Sequence, residues 1–185
     1  MSATALAPTL LIAMDQVLDP NFRRAVVLML HHEEGEGGFG LVLNRAMDMS
    51  VASLCETIEL PWNGSDQRQV DWGGPVQPEH GWVLLGEDGL SDPEIEPVAS
   101  GIRFSCSQNV LRDLASQPPS HFRIFLGYAG WGQDQLEREI ADGAWLVVPV
   151  SDDLVFDTEH EGLWDAAVRS LGIEPATLVS TQGIN

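Results

Sequence analysis

Asn44 and Arg45, which close an apolar run, and Gln77, set in the turn Gly73-Gly74-Pro75-Val76-Gln77-Pro78, are the polar side chains of this chain least explained by packing. Two amides and a guanidinium offer donors and acceptors but no nucleophile. The chemistry they could do is recognition of a small molecule or a protein partner, in a groove walled by Tyr128 and Trp131. The candidate site is therefore Asn44, Arg45, Gly74, Pro75, Gln77, Tyr128 and Trp131. The competing reading is structural: amides in Gly/Pro-rich turns satisfy backbone groups, and Arg45 can pair with one of 28 acids.

Other motifs suggest chemistry by their letters and lose it in context. Gly35-Glu36-Gly37-Gly38-Phe39-Gly40 spells G-x-G-x-x-G, but a dinucleotide fingerprint must open a helix. Here Leu41-Val42-Leu43 continues as a strand, and Glu33, Glu34 and Glu36 would repel phosphates, so the segment reads as a hairpin loop. Gly127 to Gly132 has the strand, loop, helix order that can hold an anion on backbone N–H groups. Asp134 and Glu137 already bring negative charge there, and the glycines read as a tight turn beneath Tyr128 and Trp131. His31 and His32 adjoin on a strand and point to opposite faces, while His80, His121 and His160 lack metal-ligand spacing. Asp152, Asp153 and Asp157 read as turn and cap residues. No G-x-S-x-G elbow occurs, and Cys106 before a helix has no identifiable His partner. No catalytic residue, metal ligand or cofactor is assigned.

The charge narrows the partners. With 28 acids against nine bases, all of them Arg, the formal net charge is -19. Such a surface repels phosphate backbones, and Arg23-Arg24 is the only adjacent basic pair, so direct nucleic-acid binding is not expected. Cys55 and Cys106 are far apart and read as reduced thiols, no apolar run reaches membrane-span length, and no basic residue precedes the apolar stretch Leu6 to Met14. A cytoplasmic setting is expected.

These residues must be positioned by short elements. Apolar runs predict strands at Leu10 to Ala13, Ala25 to His31, Gly40 to Leu43, Trp82 to Leu85, Phe122 to Tyr128 and Ala144 to Pro149. Helices are predicted at Val51 to Ile58 after a Ser50 cap, at Gln108 to Ser116 after Ser107, and at Gln135 to Ala141 behind an Asp134/Glu137 capping box. A last helix follows a capping box at Thr158 to Glu161, with Leu163, Trp164, Ala167, Val168 and Leu171 on one face and Gly172 as its stop. Gly86 to Pro97, rich in acids, reads as a solvated loop with an Asp88-Gly89 hairpin turn. At 185 residues with 44% hydrophobic content, one domain spanning 1–185 is expected. Without regular βαβ alternation the class is α+β.

Three blocks, Asp19-Pro20-Asn21-Phe22-Arg23 through Gly40-Leu41-Val42-Leu43-Asn44-Arg45, then Gly73 to Pro78, then Leu126-Gly127-Tyr128-Ala129-Gly130-Trp131-Gly132, resemble the bacterial YqgE/AlgH family from about Leu10 to about Ser180. Asn44, Arg45 and Gln77 fall at motif positions of that family. The chain departs from it at Ala46, where Pro is usual, and at Leu85, where His is common, and the second departure weakens any catalytic role resting on that histidine. The resemblance implies a compact α+β sandwich of mostly antiparallel strands with about four helices on the sheet. It also implies a bacterial cytosolic protein without an established catalytic set, and its label as a regulator of alginate synthesis is a genetic one. The resulting expectation is a non-enzymatic binding or interaction protein with at most an indirect role in gene regulation. The alternative is an enzyme or small-molecule-binding protein with a polar site near Asn44, Arg45 and Gln77.

Overall fold

In the computed structural model, which describes residues 5–179, ten strands and six helices follow one another among the described residues. The strands are β1 (Thr9–Ala13), β2 (Val26–Glu33), β3 (Gly37–Val42), β4 (Ala46–Ser50), β5 (Gln69–Trp72), β6 (Val76–Leu85), β7 (Glu96–Ala99), β8 (Ile102–Ser105), β9 (Phe122–Trp131) and β10 (Trp145–Val148). The helices are α1 (Val51–Thr57), α2 (Gln108–Ser116), α3 (Gln135–Ala141), α4 (Asp152–Phe156), α5 (His160–Arg169) and α6 (Pro175–Val179). The class is α+β as expected. The sheet is one curled layer instead of a sandwich, ordered β10-β1-β2-β3-β9-β6-β8-β7, with β4 and β5 joined to it through β9.

β9 holds the sheet together. One edge pairs antiparallel with β6, from Phe122 opposite Leu85 to Tyr128 opposite Val76. Its other edge carries two partners in succession: Phe125 and Leu126 run parallel to β5, and Ala129 to Trp131 run antiparallel to β3. Gly73 links the three strands, donating its N–H to Leu126 O and accepting from Val42 N, both at 2.8 Å.

Both faces of this sheet are covered, which is why its strands read as continuous apolar runs. On one face Leu10, Ile12, Val26 and Leu28 meet Leu163, Trp164, Ala167 and Val168 of α5. On the other, Leu11, Ala13, Val27 and Met29 meet Leu136 of α3, Phe22, Trp131 and Trp145. Further along, Val83, Leu85, Phe122 and Ile124 are covered by α1 and α2. His32 also ties α3 down, its Nε2 lying 2.8 Å from Glu137 Oε1, while neighbouring His31 is exposed on the opposite face. Burial alone would push the Glu137 carboxyl up, but backbone hydrogen bonds and His32 outweigh it and hold the group below its ordinary value.

Ser50 and Ser107 cap α1 and α2 as expected, accepting from Ser53 N and from Asn109 and Val110 N. Neither predicted capping box forms. Asp134 adopts φ 54° and caps nothing; instead Gln135 Oε1 accepts from Gly132 N. Thr158 donates to Asp153 O, and α5 starts at His160 after Glu159, which makes no side-chain cap. Six helices replace the expected four because α4 and α6, five residues each, are too short to show helical periodicity. Asp88-Gly89 is not a hairpin turn: β6 pairs with β8, and the Asp88 carboxylate accepts from Ser120. The Gly127 to Gly132 turn is also corrected, since β9 continues through it to Trp131.

Candidate functional site

The expected site residues occupy three separate places. Asn44 clips the chain after the Asp19–Asn21 turn: its Oδ1 accepts from Val26 N and its Nδ2 donates to Arg24 O, both at 2.9 Å. Arg45 donates to Asn44 O and Arg23 O, and burial lowers its pKa. Arg24, at φ 52°, lies over the Trp164 ring at 4.6 Å. The two halves of the first sequence block are thus one interlocked unit, and the side chains of Asn44 and Arg45 are engaged with its backbone.

Gly74 and Tyr128 do come together, with Pro75 and Gln77 exposed beside them. Gly127 has φ 77°, and a methyl there would overlap Gly74 O; a methyl on Gly74, at φ 153°, would overlap the Tyr128 carbonyl. The second and third blocks are therefore glycine-rich because two backbones cross in contact. Trp131 stands apart. Three residues from Tyr128 along a strand, it points to the opposite face, where it is buried at 7% exposure and donates from Nε1 to Glu139 Oε2 at 2.9 Å. Tyr128 instead joins Phe39 and Trp82 at ring separations of 5.4–5.9 Å.

On β5 and β9, a few residues before Gly74 and Gly127, begins a charged network that sequence reasoning missed. Asp71 and Arg123 are 4% and 9% exposed, with Arg123 Nε 3.0 Å from Asp71 Oδ2. His160 Nε2–H donates to Asp71 Oδ1, so the same nitrogen cannot accept from Arg123 Nη2 at 3.2 Å. That guanidinium nitrogen donates to Leu43 O, and Nη1 donates to Val155 O. The network joins β5, β9 and Leu43, the residue after β3, to α4 and α5, with every guanidinium nitrogen engaged by the protein. Separations of 52, 37 and 89 residues leave no local spacing signal.

An open cavity of about 390 Å³ lies between α1 and α2 over β6 and β9. Leu54, Ile58, Leu60, Leu111, Ile124 and Leu126 line it, with Glu79, His80, Cys106 and Arg112 among its polar residues. Ile58 follows the last residue of α1, and Leu60 N–H returns to Cys55 O at 2.8 Å, so the chain turns sharply and leaves Ile58 outward at 43% exposure. Cys55 beneath is buried, which pushes its thiol pKa up. The signal available in sequence was the stripe Val51, Leu54, Cys55 and Ile58 at i, i+3, i+4 and i+7, whose last member falls where the short helix ends. Among the described residues no group of three or more His, Cys, Asp or Glu is placed to hold a metal ion, and no helix is long and apolar enough to cross a membrane.

A family model described as AlgH-like matches residues 10–176. The UPF0301 protein of Myxococcus xanthus is 42% identical over 181 residues, covering 97% of this chain and 98% of its own. That of Chromobacterium violaceum is 38% identical over 186 residues, covering 99% of each. The solution structure of the AlgH protein from Pseudomonas aeruginosa superposes with a TM-score of 0.79 at 35% identity, over 100% of this chain and 98% of that one. The crystal structure of a Corynebacterium diphtheriae protein, at 22% identity, shares the fold with a TM-score of 0.75, over 98% of this chain and 95% of that one.

Proposed function

The chain belongs to the AlgH-like family, and from that premise we propose that it is a non-enzymatic binding protein whose site is the α1/α2 groove. Its occupant is a short amphipathic segment of a partner protein, apolar toward the groove and basic at its flanks. The observation that carries this reading is Ile58, a large apolar side chain left 43% exposed at a cavity whose floor is aliphatic. Covering Ile58 would contribute about 1 kcal/mol, and Leu54, Leu60 and Leu111 beside it extend the contact. Charge selects the flanks: Glu79 lines the groove and exposed Glu56 and Glu59 bracket Ile58, so the α1 side is acidic against the single Arg112 of α2, and the chain as a whole carries -19.

The enzyme or small-molecule reading at Asn44, Arg45 and Gln77 is less supported, because the first two side chains already bond backbone groups. In the preferred reading the protein acts in the cytoplasm, and any effect on gene expression runs through its partner instead of through contact with DNA.

Peptide display selected against the purified protein tests this. The expected winners carry aliphatic residues flanked by Arg or Lys, and Ile58→Asp removes their binding while costing the fold no more than about 1.5 kcal/mol. Winners that bind Ile58→Asp as tightly as the original chain would overturn it.

A further inference from the structure

We infer that a second docking site, independent of the α1/α2 groove, lies along the outer edge of β10, and that it takes an extended segment of a partner protein, basic at both ends, as an added strand. Among the described residues β4, β7 and β10 pair along one edge only. An unpaired edge invites a further strand, and folds blunt such edges with charge, proline or a break in register. β4 carries Asp48 and a register shift between Ala46 and Ser50, and β7 carries Glu96 and Pro97. β10 reads Trp-Leu-Val-Val and pairs with β1 in unbroken register, so it has none of the three devices.

The direction of the β10 backbone groups follows from its neighbour. Met14 N–H donates to Ala144 O at 2.8 Å, whereas Ala13 N–H turns the other way, to Ala25 O beside β2. Successive residues of an antiparallel pair alternate in this manner. Leu146 and Val148 therefore bond Ile12 and Leu10, while the N–H and C=O of Trp145 and Val147 point outward, where no other strand meets them. Pro149 has no N–H and ends the run. Leu146 packs on the α5 face of the sheet and Val147 on the α3 face, each partly exposed, so apolar side chains of an added strand find a neighbour on either face.

Charge identifies the occupant. Exposed Asp15 and Asp142 stand where the edge begins, and exposed Asp152 and Asp153 where it ends. From Glu139 to Val168 the chain has no Arg or Lys, and the nearest base in sequence is Arg138. A second copy of this chain, paired antiparallel about Val147, would set the Asp142 end of each edge against the Asp152 end of the other, acid on acid. A strand with Arg or Lys at both ends meets opposite charge instead.

The test is amide hydrogen exchange in the full chain, with and without the end-capped peptide Arg-Val-Thr-Val-Thr-Val-Arg. Without peptide, the Leu146 and Val148 amides should exchange slowly and the Val147 amide about tenfold faster or more. Peptide at millimolar concentration should slow Val147 saturably, by about tenfold, and the same peptide with Glu at both ends should bind about tenfold more weakly at low salt. Val147→Pro removes an outward N–H without taking a bond from β1, and should weaken the peptide about tenfold. The exposed pair Asp142→Arg with Asp153→Arg keeps the edge and should erase the preference for Arg ends. Ile58→Asp should bind the peptide as tightly as the original chain, which separates this site from the groove. A Val147 amide already protected without peptide would mean that the edge is covered by this chain or by a second copy, and would overturn the inference. So would no slowing of Val147 up to about 10 mM peptide, equal binding of the two peptides by the original chain, or loss of peptide protection in Ile58→Asp.

Discussion

Where Gly73 and Gly74 cross Gly127, two backbones touch with no side chain between them; at the α1/α2 groove, side chains surround a space that none of them fills. The first region is built from the residues most conspicuous in the sequence, the second from ordinary Leu and Ile. Conspicuous residues here solve problems of backbone geometry, and the room for a guest lies where the sequence is plainest.

Gly127→Ala should test the closed region most severely. It adds strain at positive φ to an overlap with Gly74 O that only backbone movement can relieve, so a loss above about 4 kcal/mol is expected, seen as little soluble protein or a collapsed denaturant midpoint. A normal midpoint would mean that the crossing is not closed. On the same strands, Asp71→Ala leaves Arg123 buried without its carboxylate, and should cost about 3–5 kcal/mol in urea unfolding. A cost below about 1 kcal/mol would show that water reaches the network and that this region is open too.

The groove should respond far less. Ile58→Ala removes a half-exposed side chain with no cavity to leave behind, and the expected change in stability is about 0.5–1 kcal/mol. A larger cost would place Ile58 in the core and close the groove. Smallest of all is Gly130→Ala, three residues from Gly127 on the same strand. Gly130 has no positive φ, and an added methyl would stay 3.6 Å from the Tyr128 ring, so thermal unfolding should shift by no more than about 0.5 kcal/mol. The contrast between these two alanines sharpens the comparison to single residues of one strand.

β1, β2, β3, β6, β9 and β10 were legible because their apolar runs need no partner to be recognised, whereas β4, β5, β7 and β8, four or five residues each and interrupted by polar side chains, carry no such run. The Ser50 and Ser107 caps were legible because a hydroxyl reaches its own helix N-terminus locally. Asp134 and Thr158 have suitable residues nearby, but a cap depends on the backbone angle that presents the side chain, and 54° at Asp134 presents it wrongly. Tyr128 and Trp131 were paired as one wall because the strand was expected to end at Tyr128; continued to Trp131, its two-residue period separates them. The Asp71, Arg123 and His160 network was not legible in any local window, since it is made by chain folding alone. The groove depends on how α1 and α2 stand apart on the sheet, which no periodicity encodes.

The pairing of β1 with β10, Leu10 opposite Val148 and Ala13 opposite Trp145, bears on how the chain is made. Translation delivers β1, β2 and β3 first, and they can assemble as a meander. The free edge of β1 then waits until residues 145–148 have left the ribosome, and the free edge of β3 waits for β9. During that interval Leu10, Leu11 and Ile12, fully covered in the finished sheet, lie beside an unpaired strand edge. Chains released before residue 145 should therefore aggregate instead of persisting as a smaller soluble form, so for this architecture a completed transcript matters more than for a fold whose first strand lies inside an early, self-contained unit.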